Sequence, residues 1–554
     1  MLLAVLYAGP ASAGAAAPMA VQPDGKIVVA GGVIPGFGML ARLTPNGHLD
    51  PSFGDGGIAI DRNATPLTEV AIQPDGKIVA LSSSARLTRY QADGSPDLSF
   101  GYNGTAAGRG AGGDSAHIAL LPDGRIALAS ADVRIKIPPR QETHTYIFAL
   151  DGRSAEPVSQ VGIVGPLGAL ASLGDGSLLT AGYSSPSASP HEESQGFLAR
   201  IVPGTGLPYD PAFGDGGLVT ISYSGSLPFF YALLPTADGL YAAGSGDSHV
   251  ILARFSNEGV LDGGFGSGGF TSVSPGPGSS WATDLAVQAD GKVAVAGAVS
   301  TKTGQDGPYC DSCVRPLLLR FLPGGTLDPA FGEGGTVLLT EPDGSALPGI
   351  GQAVASLADG RTLFLGRPRG GKPGRIVVAR VEQSGALDRG FGDEGLATVE
   401  ACAGNAAIQR RDGCLPSVRA RLRVRRVSRE GVALRLRIRP SSSWAHITGF
   451  ELTLPRQVET IEGRGRRIRA TLIEAGSPQR LVRVAMTRRE LSGFFRNKAP
   501  RSILLEIPAG VLRRAKAVPA GRELPFRLAV SFRAGSFGYD EAGTHVVVLR
   551  RALG

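Results

Sequence analysis

The chain has few residues of the kinds that build metal centres, redox sites and long helices. It contains four Cys, four Met, two Trp and seven His among 554 residues. The His residues share no spacing with a Ser or Cys motif, no Gly-x-Ser-x-Gly segment opens a helix, and no Asp-x-Asp-x-Asp loop is present. Apart from the N-terminus, no apolar run approaches the roughly 20 residues of a membrane span. The sequence therefore predicts no cofactor, no metal and no membrane span, and it offers no catalytic residue.

The N-terminus carries the apolar segment Met1 to Ala8, followed by Ala11-Ser12-Ala13. That order has the small-x-small pattern of a signal-peptide cleavage site, although no Lys or Arg precedes the apolar run. We interpret residues 1–19 as a signal peptide and leader. This interpretation predicts a secreted or cell-envelope protein.

The four cysteines form two close pairs in the sequence, Cys310 with Cys313 and Cys402 with Cys414. In an exported protein, local pairing into two disulfides is the simplest of the three connectivities. The first pair lies in a Gly-rich insertion rather than at a strand-to-helix turn, and no second Cys or His pair stands at zinc-ligand spacing. We therefore predict structural disulfides rather than a redox or zinc site.

Glycine and proline, in contrast, are abundant: the chain contains 80 Gly and 39 Pro, which indicate many tight turns. An Asp-Gly pair between two apolar runs recurs seven times, at intervals of 51, 48, 52, 63, 52 and 69 residues. Asp can bond nearby backbone amides and Gly accepts a positive φ, so each pair is predicted to be a structural turn that closes a β-hairpin. The seven pairs are Asp24-Gly25, Asp75-Gly76, Asp123-Gly124, Asp175-Gly176, Asp238-Gly239, Asp290-Gly291 and Asp359-Gly360.

Each repeat continues with a third, alternating run, which predicts a half-buried strand, and with a fourth apolar run. Between these two runs, six repeats carry Asp-x-x-Phe-Gly, whereas the third repeat has Asp151-Gly-Arg-Ser. We predict that the phenylalanines are packing anchors between repeats; they are Phe53, Phe100, Phe213, Phe265, Phe331 and Phe391. Four strands in about 50 residues are the content of one propeller blade. The sequence predicts an all-β protein with a seven-bladed β-propeller of four-stranded blades over residues 20–400.

The Gln-Pro-Asp-Gly-Lys-Ile-Val and Asp-x-x-Phe-Gly phrases resemble the delta-60 repeat family of bacterial proteins. Repeats 1, 2 and 6 follow these phrases closely, whereas repeats 3, 4 and 5 replace Gln-Pro before the Asp-Gly pair. The resemblance implies a β-propeller-like fold and no particular activity.

The two parts of the chain have opposite charge. Residues 402–554 contain 31 Lys or Arg and 11 Asp or Glu, a net charge of +20, whereas residues 1–401 have a net charge of −12. Beyond a disulfide-containing linker over 401–417, alternating apolar and Arg residues predict a small basic β-sandwich domain over 418–554. The cationic face of this domain could bind an anionic envelope polymer or dock on the acidic propeller. The alternative is that the high Arg content reflects only a coding bias on a solvated surface. Because no aromatic series accompanies the Arg residues, we expect no sequence-specific nucleic acid binding.

Insertions of unlike sequence fall between the second and third runs of four repeats, at 135–145, 184–195, 301–314 and 367–375. If the blades align, these loops emerge on the same face of the ring, which is where propellers usually bind partners. The alternative is that the loop sequences have drifted because nothing packs on them. We interpret the chain as an exported, non-catalytic binding or scaffold protein, with a protein or glycan partner at this face and an anionic envelope polymer at the C-terminal domain.

The alternative is a hydrolase or lyase with its active site in the central cavity. Carboxylates that converge in the channel with a His or Arg would favour the enzyme, whereas a channel lined by Gly, Ala and Val would argue against it.

Overall fold

The computed structural model describes residues 17–33, 37–107, 116–134, 140–153, 155–161, 167–184, 195–204, 209–221, 228–302, 313–341, 344–368 and 375–400, and beyond residue 400 it describes strands alone. The chain divides into two compact units, residues 1–401 and 402–554. The predicted signal peptide, the predicted linker and three of the four cysteines, Cys310, Cys402 and Cys414, lie outside the described residues.

The first unit consists of seven four-stranded antiparallel sheets, so the prediction of seven four-stranded blades is confirmed. The first four blades are β1 (Met19–Val21), β2 (Ile27–Val33), β3 (Phe37–Leu43), β4 (Ile58–Asp61); β5 (Leu67–Ile72), β6 (Ile78–Ser82), β7 (Arg86–Tyr90), β8 (Thr105–Ala107); β9 (Ala116–Leu120), β10 (Ile126–Arg134), β11 (Arg140–Phe148), β12 (Ala155–Val161); and β13 (Leu167–Ser172), β14 (Leu178–Ser184), β15 (Gln195–Ile201), β16 (Leu218–Ile221).

Blades 5 to 7 have the same order. They are β17 (Phe229–Thr236), β18 (Gly239–Gly246), β19 (His249–Phe255), β20 (Phe270–Val273); β21 (Ser280–Val287), β22 (Val293–Ser300), β23 (Val314–Phe321), β24 (Thr336–Leu338); and β25 (Gly349–Ser356), β26 (Thr362–Pro368), β27 (Arg375–Val381), β28 (Leu396–Glu400). Every blade is one contiguous segment, with its strands in sequence order across the sheet.

The first strands of the blades form the inner ring. Each first strand contacts the first strand of the next blade, and β25 of blade 7 contacts β1 of blade 1. The ring therefore closes by packing and loop contacts between blades 7 and 1, because no strand of one belongs to the sheet of the other.

The hydrophobic core lies between neighbouring blades. The second strands are covered on both faces, so β22, with the sequence Val-Ala-Val-Ala-Gly-Ala-Val-Ser, is buried at all eight positions. One core cluster combines Phe213 of blade 4 with Phe230 and Phe255 of blade 5, and similar clusters join other neighbouring blades. A single blade cannot bury both faces of its own sheet, so stacking of neighbours is what stabilises it.

The two ends of the ring differ in their connections. The end that carries the Asp-Gly turns and the turns between third and fourth strands is called the corner face, and the opposite end the loop face. Six of the seven connections between first and second strands, on the corner face, have five residues. The connections between second and third strands, on the loop face, range from two residues in blade 5 to 13 in blade 6.

The second unit contains two sheets. One has the order β29-β30-β34 and the other β33-β32-β31-β35-β36. Their bounds are β29 (Val418–Ser428), β30 (Gly431–Pro440), β31 (Ala445–Thr453), β32 (Arg467–Ile473), β33 (Leu491–Ser492), β34 (Arg501–Pro508), β35 (Glu523–Ala534) and β36 (Phe537–Val548). Packing of these sheets into a sandwich stays a prediction. Among the described residues of the whole chain, there is no helical segment with the length and hydrophobicity of a membrane span.

Candidate functional site

Each Asp-Gly pair lies at the turn between the first and second strands. In blade 1, the Gly25 N–H donates to the Gln22 carbonyl (2.9 Å), and the Asp24 carboxylate accepts the Lys26 N–H (3.1 Å). Six of the seven glycines have φ between 78° and 83°, and Gly239 has φ of 148°. These angles favour glycine, because a Cβ would strain the turn.

An ion pair stands behind these turns in six blades, and it is buried in blades 1, 2, 6 and 7. The Arg of the third strand contacts the Asp of Asp-x-x-Phe-Gly; in blade 1, Arg42 Nε lies 2.8 Å from Asp50 Oδ2. The other pairs, at 2.6 to 3.0 Å, are Arg89–Asp97, Arg200–Asp210, Arg254–Asp262, Arg320–Asp328 and Arg380–Asp388. Sequence reasoning missed this pair, although an Arg eight residues before the Asp in five repeats was a signal that could have revealed it.

The phenylalanine of each Asp-x-x-Phe-Gly segment is buried next to this ion pair. The Arg42 guanidinium lies over the Phe53 ring, 4.7 Å from its centroid, and three other blades repeat this contact at 4.3 to 4.8 Å. The Phe53 ring also packs against a turn of the next blade, and we call this contact between neighbouring blades the joint. In that turn, a Cβ on Gly94, where φ is 84°, would lie 2.8 Å from the Phe53 ring. Only glycine fits this position, since both the ring and the backbone angle exclude a side chain.

The glycine after each phenylalanine completes the joint. Its N–H donates to a turn carbonyl of the following blade in all six cases, at 2.6 to 2.9 Å. The joint between blades 7 and 1 is of this kind: Gly392 N–H donates to the Asn46 carbonyl (2.8 Å), Arg380 Nη1 donates to the Pro45 carbonyl (2.6 Å), and a Cβ on Gly47 would lie 3.0 Å from the Phe391 ring. The residues that recur in the sequence therefore hold the ring closed.

Four of the carboxylates paired with Arg have lowered pKa values. Burial alone would raise the pKa of Asp50, but hydrogen bonds from Ser52 and the charge of Arg42 outweigh it and lower the pKa to about 2. Burial is likewise outweighed at Asp97, Asp328 and Asp388, where hydrogen bonds from the residue two positions on and the paired Arg lower the pKa. These carboxylates are ionised and fully engaged at neutral pH, which leaves them no free role in proton transfer.

Blade 3 lacks the whole set. Ile147 pairs with Ala127, the position that Arg42 and Arg89 occupy opposite Val28 and Val79 in blades 1 and 2. The third repeat thus lacks the Arg together with Asp-x-x-Phe-Gly, as we expect if Arg, Asp and Phe act as one unit.

The inner strands carry a different set of polar residues, which does not recur. Six positions before the corner Asp, the seven blades have Pro18, Glu69, His117, Ala169, Ala232, Asp284 and Ala353. The described inner strands contain four titratable side chains, namely Glu69, His117, Tyr231 and Asp284. The channel thus has neither a continuous ring of carboxylates nor a purely small, apolar lining.

Glu69 and His117 link blades 2 and 3. His117 Nδ1 lies 2.6 Å from Glu69 Oε1, and the Ile118 N–H donates to Glu69 Oε2 (2.8 Å). Burial opposes protonation of His117, but the Glu69 carboxylate and a hydrogen bond to the Leu167 backbone outweigh it, so the pKa of His117 is raised.

Asp284 occupies the equivalent position in blade 6. Its carboxylate accepts the Leu285 N–H (2.9 Å) and the Val354 N–H of blade 7 (2.8 Å), and no cation is paired with it in the described residues. Burial raises the pKa of Asp284 to about 7, in spite of the two N–H donors, and the negative charge of Glu69 adds to the rise. Asp284 is therefore partly protonated at neutral pH.

A β-bulge interrupts the inner strand of five blades just before this level. The bulged residues are Thr68, Gly168, Tyr231, Thr283 and Gln352. Bulges re-aim side chains and are common next to binding and active sites. Here the bulges lie between the position of Glu69, His117 and Asp284 and the loop-face entrance of the channel.

Aromatic residues line this entrance in blades 5 and 6. Phe229 and Tyr231 of β17 stack with ring centroids 4.2 Å apart, and Tyr231 is 39% exposed. Trp281 stands at the position of Phe229 in the next inner strand, β21, and is half-buried. Since blades 4 and 6 flank β17 and β18 covers its outer edge, the exposed face of Tyr231 lies toward the channel.

Of the insertions, the structure describes only the flanking strands, which end on the loop face. Cys313 is buried at the start of β23, and the pairing of the four cysteines stays a prediction. Among the described residues, no three His, Cys, Asp or Glu side chains are grouped to hold a metal ion.

The seven stacked blades define a β-propeller repeat protein. A family model described as a domain of unknown function (DUF5122) β-propeller matches residues 22–53, 73–100 and 288–331, which fall in blades 1, 2 and 6. These are the three repeats that follow the recurring phrases most closely, and the delta-60 resemblance itself stays a prediction. No curated protein matches the sequence.

Solved structures of several kinds show a remote likeness. PorZ, a surface component of the type-IX secretion system of Porphyromonas gingivalis, is 12% identical over 99% of this chain and 61% of its own, with a TM-score of 0.34, so this chain spans less than two thirds of PorZ. A putative 6-phosphogluconolactonase from Bacteroides fragilis is 12% identical over 68% of this chain and 99% of its own, with a TM-score of 0.40. A PL25 ulvan lyase is 11% identical over 78% and 93%, with a TM-score of 0.28. At these values, the likenesses carry no argument about activity.

Proposed function

We propose that the chain is an exported, non-catalytic binding or scaffold protein whose loop face receives a protein or glycan partner. The observation that carries the proposal is the contrast between the two faces. Corner-face connections between first and second strands keep five residues in six blades, whereas loop-face connections vary from two to 13 residues on the same rigid ring. Variable loops on a rigid scaffold are the usual place for recognition. The apolar segment at Met1 to Ala8 supports export.

Shortening of the long loops tests this role. In one variant, residues 185–194 and 303–312 are each replaced by the two-residue connection of blade 5, Asp247-Ser248; in the control, Tyr102, which is 82% exposed in a corner-face turn, is changed to Ala. Immobilised chains are exposed to the secreted proteins and envelope polysaccharides of the source organism. We expect the loop variant to lose retention and Tyr102→Ala to keep it; equal retention by both variants would refute the proposal.

The basic C-terminal unit is proposed to hold an anionic envelope polymer. Residues 402–554 have a net charge of +20, and binding through Lys and Arg contacts to a polyanion weakens as salt displaces counterions. Titration of the full chain with teichoic acid or polyuronate at increasing salt tests this part. Affinity that does not change with salt would contradict it.

A hydrolase or lyase active in the channel is the second candidate. Glu69, His117 and Asp284 favour it, because burial raises the pKa of Asp284 to about 7, and a carboxyl group with a raised pKa is typical of a general acid or base. Against it, Glu69 and Asp284 are both engaged with backbone N–H groups of the following blade. Turnover of a glycan substrate that is abolished by Asp284→Asn would favour this candidate over a binding role.

A further inference from the structure

We propose that the loop-face entrance of the channel is a binding site for an uncharged saccharide, with the aromatic residues of blades 5 and 6 as its platform and Asp284 as its polar anchor. The proposal deepens the binding role proposed above, because it names the glycan class and the residues that recognise it. Two observations carry it: the exposed aromatic residue Tyr231 with its neighbours Phe229 and Trp281, and the polar side chains at the next level of the channel.

The aromatic platform is formed by Phe229 and Tyr231, with Trp281 at the equivalent place in the next blade. Phe229 and Tyr231 keep their rings 4.2 Å apart at an interplanar angle of 32°, and Tyr231 stays 39% exposed although its strand is the innermost of the blade. Tyr and Trp suit sites that are partly wet, because they combine an apolar ring with a polar group. The C–H face of a pyranose ring can stack on such a surface while its hydroxyl groups stay available for hydrogen bonds.

Blade 4 packs closely against the back of the platform. Its bulged residue is Gly168, and a Cβ there would lie 1.8 Å from the Phe230 carbonyl oxygen and 3.0 Å from the Phe229 ring. The blade-4 backbone therefore supports the Phe229 ring from this side. Two other bulged residues, Thr68 and Thr283, carry hydroxyl groups at the same level of the ring.

Polar groups for sugar hydroxyls stand at the following level. Each Asp284 oxygen accepts one backbone N–H and keeps a second lone pair, so the carboxylate can accept a further hydrogen bond. Glu69 lies close enough for its charge to act on Asp284, and its partner His117 belongs to the same level. A largely apolar site with a few well-placed polar groups is typical of small-ligand pockets.

The charges select the class of saccharide. On the described inner strands, the one cation-forming side chain is His117, and it is already paired with Glu69 at 2.6 Å. A uronate or sulfated sugar would meet two carboxylates and no unpaired cation from these strands, which makes its binding unfavourable. The site is therefore assigned to neutral sugars.

Binding of the full chain to an array of immobilised neutral, uronic and sulfated oligosaccharides tests the proposal. We expect the wild-type protein to bind neutral oligosaccharides and not the anionic ones. Tyr231→Ala and Asp284→Asn should each weaken binding by about tenfold or more, because they remove the stacked ring and one of the two acceptor oxygens. The matched controls, Tyr102→Ala and Asp55→Asn, alter exposed residues of the corner face and should bind as the wild type does.

The proposal is overturned if the wild-type protein binds no neutral oligosaccharide, if it binds uronates equally well, or if both channel variants keep wild-type affinity. A thermal melt of each variant separates loss of binding from loss of fold. If the loop-shortened variant loses its partner while Tyr231→Ala and Asp284→Asn retain theirs, the saccharide site is wrong and the loop-face function stands. If the channel variants alone lose binding, the saccharide site stands and the loops are not the recognition surface.

Discussion

The corner face and the channel both carry charged residues, but these residues are used in different ways. On the corner face, the Asp of every Asp-x-x-Phe-Gly segment has an Arg partner, as in Arg42 and Asp50 at 2.8 Å, and the pKa of Asp50 is lowered to about 2. On the inner strands, Asp284 has no paired cation in the described residues, and burial with the charge of Glu69 raises its pKa to about 7. Recurrence therefore marks residues that hold the blades together, whereas the titratable residues of the inner strands depart from the repeat.

The same contrast separates blade 3 from the six other blades. Blades with the Arg, Asp and Phe set join the next blade through a Gly N–H at 2.6 to 2.9 Å. Blade 3 has Ile147 in place of the Arg, and its inner strand carries His117, which contacts Glu69 of blade 2. The missing corner-face joint is the one to blade 4, so the contact to blade 2 does not replace it.

The largest effect is expected from Phe391→Ala at the closing joint. Phe391 is fully buried and packs against Gly47 of blade 1, so its truncation should lower the free energy of unfolding by about 3–5 kcal/mol. Denaturant unfolding followed by near-ultraviolet circular dichroism measures the loss. Tyr102→Ala is the control and should change stability by less than about 0.5 kcal/mol; similar losses for both variants would remove the distinction between anchor and surface residues.

A loss of about 3 kcal/mol is expected from Asp50→Asn, because it leaves the buried Arg42 without a counter-ion. The double variant Arg42→Ile with Asp50→Asn resembles blade 3 and should recover part of this loss. A double-mutant cycle on the unfolding free energy measures the coupling. If the two single losses simply add, Arg42 and Asp50 do not act as a unit.

Asp50 and Asp284 should contribute to the pH dependence of stability with opposite signs. The folded pKa of Asp50, about 2, is below its ordinary value of 3.8, so the stability from Asp50 is present above pH 4 and is lost as the pH falls toward 2. The folded pKa of Asp284, about 7, is above 3.8, so the folded state holds a proton that the unfolded state has lost, and stability falls as the pH rises from about 4 to 7. Unfolding midpoints across pH 2 to 8 should show that Asp284→Asn flattens the second slope only; an unchanged slope would show that Asp284 is not the titrating group.

The smallest effect is expected from Asp24→Asn. Asp24 is an exposed turn residue whose salt bridge to Lys26 is also exposed, so the loss should stay below about 1 kcal/mol. Asn keeps an oxygen that can accept the Lys26 N–H. Thermal unfolding at low and high salt measures the loss of stability that Asp24→Asn causes. A loss as large as that of Asp50→Asn would mean that the corner Asp does more than close a turn.

The repeat made the architecture predictable. Seven Asp-Gly pairs with two flanking apolar runs, and two further runs per repeat, predicted seven blades of four strands, because turn chemistry and strand alternation are local properties. The Arg partners were not identified, although Arg42 and Asp50 are only eight residues apart. A strand Arg with apolar neighbours is ordinarily taken as a solvent-facing residue, and only the packing of the next blade buries it.

The channel site could not be predicted in the same way. Glu69, His117 and Asp284 lie in three blades, up to 215 residues apart, and share no spacing with a known motif. Their position six residues before the corner Asp becomes meaningful only when the first strands are known to form the inner ring. The insertions were recognisable in the sequence as departures from the repeat, whereas the aromatic entrance beside them was not.

The sequence by itself determined the number of blades, the turns and the strand order, because these depend on local backbone preferences that each repeat restates. Tertiary structure decided which charges are paired and which are buried without a counter-ion. Closing the ring places Arg380 against Pro45 of the first blade and exposes Asp284 to the charge of Glu69. Such pairings depend on distances between segments far apart in the chain, and those distances exist only once the blades have stacked.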